Sequence, residues 1–268
     1  MLKQGGVVLL GILLAAAGIV NAQKAYDLKY KPVPGISYYF TGKGNAQAYQ
    51  NIQGQERDIV SSNYIRYKIM VDKLGENYSA IITFDSLFSK TAAAEAEIVD
   101  NGELEKGKSL NLIFTSSGNK IESKEIDKIT GLRNFSSHMF IRLPENPIKP
   151  GDKWFFQDKD SSNNRFVTLS NTNYKFEGIE KKNGIECAKI SFNSTSDSKI
   201  EGKDNNLYVV RKGKITSEGI IYFDIEKGMI LEFGEKSNGV FTVNISDYGI
   251  EFPMTTKVNH SWTMSENK

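Results

Sequence analysis

Gly102-Glu-Leu-Glu-Lys-Gly107-Lys108-Ser109 matches the phosphate-loop pattern at every defined position. The chemistry of such a loop needs a strand before it, a helix after it, and backbone N–H groups free to wrap an anion. Here Leu110-Asn-Leu-Ile-Phe114 continues as an alternating strand, and Glu103 and Glu105 put negative charge where phosphate would sit. Nucleotide binding is not expected. Asp158-Lys-Asp160-Ser-Ser162-Asn-Asn164 places oxygen ligands at alternate positions, as a calcium loop begins. A loop of the EF-hand type needs Gly at its sixth place and Glu at its twelfth, where this chain has Asn163 and Leu169. A polar hairpin tip is the simpler reading. The two histidines, His138 and His260, each lack a nearby Cys or a local carboxylate partner. There is no Gly-x-Ser-x-Gly elbow and no His-Glu-x-x-His helix. The single cysteine, Cys187, excludes an intramolecular disulfide and a cysteine metal cage. It reads as a small buried hydrophobe on a strand. Acidic residues are common but no pair stands out, so a carboxylate-based hydrolase is the remote alternative. The expectation is a protein that is not an enzyme, with no cofactor and no metal.

The elements around these residues are strands. Ala80/Ile82/Phe84 alternate with Ile81/Thr83/Asp85, Leu110/Leu112/Phe114 with Asn111/Ile113, and Ala188/Ile190/Phe192 with Lys189/Ser191/Asn193. Period two with one apolar face predicts antiparallel strands with one dry side. Glycine with polar partners at 74–77, 116–119, 182–184 and 226–228 marks hairpin turns between them. Two segments have helical character. Lys90–Glu97 has the propensity but almost no apolar face, and Lys124–Phe140 spaces Ile126, Ile129, Leu132, Phe135 and Met139 as an amphipathic stripe.

The chain has 268 residues, with 34 Lys+Arg against 32 Asp+Glu, 39% hydrophobic and 25% charged. That is enough for one large β domain or two small ones, and its charge balance argues against nucleic acid as a partner. Residues 1–22 read as a signal peptide. Lys3 precedes an uncharged apolar run from Gly5 to Val20, and Val20-Asn21-Ala22 supplies small residues before a cut at Gln23. No Cys stands at that cut, so the expected protein is exported, periplasmic or extracellular, and not anchored as a lipoprotein. No integral membrane segment is expected once the signal is removed.

Two β units follow, 23–143 and 144–268. Pro34-Gly35-Ile-Ser-Tyr38-Tyr39-Phe40 matches Pro150-Gly151-Asp-Lys-Trp154-Phe155-Phe156, and the 64–84 and 112–121 segments match 174–192 and 221–230 in the same order. Ordered matches at a nearly constant offset are what an internal duplication leaves. The expected fold is mainly β, with antiparallel strands from two related halves forming a curved sheet, half-barrel or barrel, and one or two short helices. No flexible Gly/Ser or Pro-rich linker separates the halves, so they form either one shared core or two domains. Consecutive rings point to opposite faces of a strand. Tyr38, Tyr39, Trp154 and Phe155 are therefore the candidate walls of an apolar groove for a hydrophobic or lipid ligand. The alternative is a structural or interaction module that meets an envelope protein through a sheet edge or hairpin face.

Pro150-Gly-Asp-Lys-Trp-Phe155 and Gly219-Ile-Ile-Tyr-Phe-Asp224-Ile-Glu-Lys-Gly228-Met229-Ile230 together resemble a group of exported bacterial β proteins of the domain-of-unknown-function kind. The strand, Phe-Asp, turn, Gly-Met, strand hairpin is also similar to one in lipoprotein carriers of the LolA, LolB and RseB type. That resemblance covers about Pro144–Tyr248 well. It implies a half-barrel closed by helices over an apolar cavity that accepts lipoprotein acyl chains, and it carries over no catalytic residue.

Overall fold

The computed structural model describes residues 24–93, 96–125, 139–163, 166–204 and 207–266. The signal segment 1–22 and most of the amphipathic stripe, 126–138, lie outside the described residues. Twelve strands follow in order: β1 Ser37–Ile52, β2 Gln55–Leu74, β3 Asn77–Ala93, β4 Ala96–Asp100, β5 Ser109–Phe114, β6 Lys120–Glu125, β7 Lys153–Asn163, β8 Phe166–Lys182, β9 Ile185–Asp204, β10 Leu207–Asp224, β11 Met229–Ile245 and β12 Ile250–Glu266. Every pairing between them is antiparallel, and the main path runs β6-β5-β3-β2-β1-β12-β11-β10-β9-β8-β7 with β4 paired to β3. The result is one curved, unclosed sheet that holds 76% of the described residues. Among the described residues the helical element is a single 3-10 turn, Ser246–Tyr248. No described helix is long and apolar enough to cross a membrane.

The alternation read from sequence sets the faces. Ala80, Ile82, Phe84, Leu110, Leu112, Phe114, Ala188, Ile190 and Phe192 are all buried, and all belong to one cluster that draws on both halves of the chain. The 34–40 and 150–156 phrases open β1 and β7, and the later matches fall on β3 and β9 and on the β5–β6 and β10–β11 turns.

Lys90–Glu97 departs from its helical expectation. Lys90–Ala93 end β3, where they pair with Ile59–Ser62 of β2, and Ala96 and Glu97 belong to β4. A ladder of backbone hydrogen bonds on a preformed neighbour outweighs alanine's helix propensity, which amounts to less than about 1 kcal/mol per residue. Lys124 and Glu125, the first residues of the second expected helix, also lie in a strand, β6.

The sheet's curvature can be read from one side chain. In strand order β5 and β10 have five strands between them, so a flat sheet would hold them about 29 Å apart. Tyr30 nevertheless meets Phe114 of β5 edge-on at 5.8 Å and Phe223 of β10 edge-on at 5.5 Å. The apolar face therefore wraps inward around Tyr30.

Two non-strand segments cover that inner face at one end. The Tyr26 and Ile148 backbones exchange hydrogen bonds of 2.8 and 2.9 Å; Tyr30 N donates to Ser116 O (2.7 Å) and Lys31 N to Gly228 O (3.1 Å). Leu28, Tyr30, Met139, Phe140, Ile141 and Leu143 are buried beneath this cover. The hairpins at 74–77, 182–185 and 224–229 lie at the covered end, and those at 52–55, 204–207 and 245–250 at the opposite, open end.

Several strands run 16 to 20 residues, well beyond the usual five or six. They outrun their cover. On β12, Phe252 and Met254 are buried near the open end and Trp262 and Met264 near the covered end, all on one face. Thr256, Val258 and His260 lie between, on the same face and more exposed.

Candidate functional site

The middle of the inner face, left open by the described residues, is a groove of about 490 Å³ floored by β8, β9, β10, β11 and β12. Its floor is low because its side chains are small. Ser170 and Ser196 are direct cross-strand partners with hydroxyls 2.8 Å apart, Thr172 donates to Ser194 at 3.1 Å, and Ser217 meets Ser237 at 2.9 Å. Each pair shares one hydrogen bond between neighbouring strands, which lowers the cost of covering this floor with an apolar guest.

Apolar groups stand at both ends of the groove. Phe192 and Phe233 stack at 5.4 Å beside Tyr174 at the covered end, and Ile200, Ile215 and Phe241 lie toward the open end. Phe241 belongs to a second apolar cluster with Val243, Phe252 and Met254, separate from the main core. Its ring lies flat on the sheet because its cross-strand partner is Gly213, where a Cβ would come within 2.5 Å of a ring atom. Trp262 lies over Gly42 in the same way. Mid-strand glycine, costly for a strand on its own, here makes room for a cross-strand ring.

The charged groups divide along the groove. Glu235, paired in register with His260 and accepting from Ser237 Oγ at 2.8 Å, lies toward the covered end. Asp158 lies there too, in an ion pair with Arg142 at 2.6 Å. Arg211 lies at the open end, half-buried, with its guanidinium 5.3 Å from the centre of the Phe241 ring. Burial lowers its pKa from the ordinary guanidinium value, and it is still a cation at neutral pH.

The four aromatic residues singled out in the sequence do not build this groove. Tyr38 is 1% exposed in the main core, and its hydroxyl accepts from Val33 N at 2.9 Å. Trp154 stands behind the groove, stacked on Tyr174 at 5.3 Å and donating its indole N–H to Arg142 O at 3.0 Å. Tyr39 and Phe155 point to the outer face, Tyr39 beneath the Arg66 guanidinium at 4.2 Å and Phe155 at 53% exposure. Strand alternation separates each consecutive pair, so one ring of each supports the core and the other meets solvent. A signal for the groove did exist: hydroxyl residues at alternate places in Thr168–Thr172 and Ser194–Ser198. Arg211 carried no local signal.

The phosphate-loop match closes on itself. The N–H groups of Glu105 and Lys106 donate to Gly102 O, that of Gly107 to Phe84 O and that of Lys108 to Glu105 O, so none of these donors faces outward. Strand β5 follows at once. Asp224, the end of the Phe-Asp hairpin, is buried, and its carboxylate accepts from the N–H groups of Glu226 and Lys227 at 3.0 Å each, which fixes the turn. Cys187 is buried, and burial, with the Asp224 charge adding to it, pushes its thiol up to about 11. A thiol so protonated is a poor nucleophile at neutral pH. Asp158, first of the calcium-like series, is held by Arg142.

No protein-family model and no curated protein sequence matches the chain. Among solved structures, one of lipovitellin described for its lipid–protein interactions matches 87% of this chain with a TM-score of 0.54 and 11% identity. The likeness is one of fold. This chain spans about a quarter, 25%, of the lipovitellin chain it matches. Distant neighbours include an outer membrane lipoprotein-sorting protein domain from Vibrio parahaemolyticus, at 11% identity over 85% of this chain and 86% of its own with a TM-score of 0.14. A DUF1329 family protein from Desulfovibrio piger matches at 11% identity over 85% of each chain, with a TM-score of 0.15. Scores of 0.14 and 0.15 are too low to relate the folds.

Proposed function

We propose that this is an exported, non-enzymatic protein that binds a lipidic guest along the inner face of its sheet. The observation that carries the reading is the groove of about 490 Å³ running between two apolar clusters on one face, with cover over only one of them. Its volume falls within the range of about 300–1,000 Å³ common to small-molecule sites. Its floor hydroxyls are paired across strands, which lowers the cost of covering them, and Phe192, Phe233, Ile215 and Phe241 offer apolar contact along it. Uncovered apolar surface of this kind marks interaction sites. The fold likeness to lipovitellin, described for its interactions with lipid, supports the same reading. Export rests on residues 1–22 alone.

The test is titration of protein purified without detergent with N-phenyl-1-naphthylamine, an uncharged probe that fluoresces in apolar surroundings. Saturable enhancement, abolished by Ser196→Trp in a variant of unchanged thermal stability, is the expected result. Ser196 is on the groove floor opposite Ser170, so an indole there fills the space without touching the core. Absence of saturable binding by the parent protein would overturn the reading, and the inner face would then be sought as a protein contact.

A further inference from the structure

We infer that Arg211 holds the anionic headgroup of a single-chain amphiphile whose tail lies in the groove, an inference that rests on the groove being a lipidic site. Three observations converge on this residue.

First, its surroundings are apolar. On the inner face its direct cross-strand neighbours are Ile200 of β9 and Val243 of β11, and its guanidinium lies over Phe241. Among the described residues no carboxylate pairs with it. Other arginines have acid partners of their own, as in Arg142 with Asp158 and Arg66 with Asp85. A half-buried cation without an anion is costly to keep, and the cost falls when a ligand supplies the counter-charge.

Second, its place in the groove is terminal. Of the groove's acidic groups, Asp158 is in an ion pair with Arg142, and Glu235 lies toward the covered end. Glu235 is in register with Gly219, eight residues along β10 from Arg211, or about 26 Å at the rise of an extended strand. An anionic head is therefore attracted to Arg211 at the open end and disfavoured beside Glu235. This fixes the direction in which the guest lies.

Third, the apolar path leading away from Arg211 is long enough for a tail. Half the hydrocarbon thickness of a bilayer, the span of one acyl layer, is about 15 Å. From Arg211 that length carries a chain past Phe241 and Ile215 onto the hydroxyl floor, well short of Glu235. Guanidinium presents a planar fork of donors that suits a carboxylate or a phosphate monoester equally well, so the shared chemistry is a terminal oxyanion on an acyl chain.

The experiment compares palmitate, 1-palmitoyl lysophosphatidate and hexadecanol as competitors of N-phenyl-1-naphthylamine, in the parent protein and in Arg211→Gln and Arg211→Lys. Inorganic phosphate serves as the headgroup without a tail. Arg211→Gln is expected to weaken at least one of the two anionic competitors by about tenfold or more while leaving hexadecanol within about twofold. The competitor that loses affinity identifies the head as carboxylate or phosphate. Arg211→Lys, which keeps the charge and loses the fork, is expected to fall between. Rising salt should weaken the anionic competitors in the parent protein and not in Arg211→Gln. Equal affinity of both anionic competitors in parent and Arg211→Gln would overturn the role of Arg211 and leave the groove standing. So would displacement of the probe by inorganic phosphate alone. Failure of the parent to bind the uncharged probe or hexadecanol would overturn the groove itself.

Discussion

Tyr30 joins three parts of the molecule through one side chain. Its ring meets Phe114 and Phe223 edge-on and Phe140 at 5.5 Å, and its hydroxyl donates to Ile141 O at 3.1 Å. The segment matches read from the sequence set Phe114 against Phe223, yet nothing in the sequence marks Tyr30 as the residue between them. Tyr30→Phe removes one buried hydrogen bond and leaves the Ile141 carbonyl without that donor, which should cost about 1–3 kcal/mol in urea denaturation. Tyr30→Ala also removes the ring, and the loss should rise to about 3–5 kcal/mol. If Tyr30→Ala were as mild as Tyr30→Phe, the ring contacts would not be what ties the cover to the sheet. Arg211 shows the opposite case at the same scale, since its meaning depends wholly on which residues the fold leaves without an opposite charge beside it.

At the scale of elements, β1 and β12 show what pattern alone can and cannot supply. The alternation of β3, β5 and β9 was legible, and the consecutive rings of Tyr38, Tyr39 and Phe40 marked the opening of β1. The mid-strand glycines were not, because a glycine in a strand reads as a weakness until its cross-strand partner is known. At Gly42 a Cβ would lie 2.1 Å from the Trp262 ring, so Gly42→Ala must displace the indole from the sheet. Such overpacking is expected to cost about 1–3 kcal/mol and to shift the tryptophan emission to longer wavelength. Unchanged emission and stability would mean the ring is not held against the strand. The helical expectation for Lys90–Glu97 failed for a related reason. Local propensity favoured a helix weakly, and the neighbouring strand β2 offered a continuous hydrogen-bonding partner.

On the scale of the whole molecule, the sheet is packed at one end and open at the other. Local stability should follow that gradient, because amides over a packed core exchange only through large openings. Hydrogen exchange should therefore be slowest in Tyr67–Val71, Ala80–Phe84 and Ile221–Phe223, whose inner-face side chains are buried in the main core, and faster in Val209–Lys214 and Val240–Ile245 toward the open end. Addition of palmitate should slow exchange at the open end and leave the covered end unchanged. Uniform protection along the strands, or a palmitate effect confined to the covered end, would contradict this arrangement. The unclosed sheet has a functional consequence as well. Its edges β6 and β7 stay unpaired, with a smaller cavity of about 280 Å³ lined by Phe140, Ile141 and Arg142 beside them, so the described strands leave the inner face open along one side.

The sequence by itself determined the faces of β3, β5 and β9 and the turns at 74–77, 116–119, 182–184 and 226–228, because these follow from period-two burial and from glycine in hairpins, both local along the chain. It also determined that the phosphate-loop and calcium-loop matches sit in the wrong context for their chemistry. Only the tertiary structure decided where the groove lies. That depends on how tightly the sheet curls, how far its strands outrun the cover, and which inner-face positions meet across strands far apart in sequence. The rings chosen from sequence were large enough for a groove, but size does not say which face a side chain takes or what stands over it. Serine and threonine, too small to draw notice in a linear reading, shape the floor because a concave surface is made by what is absent from it.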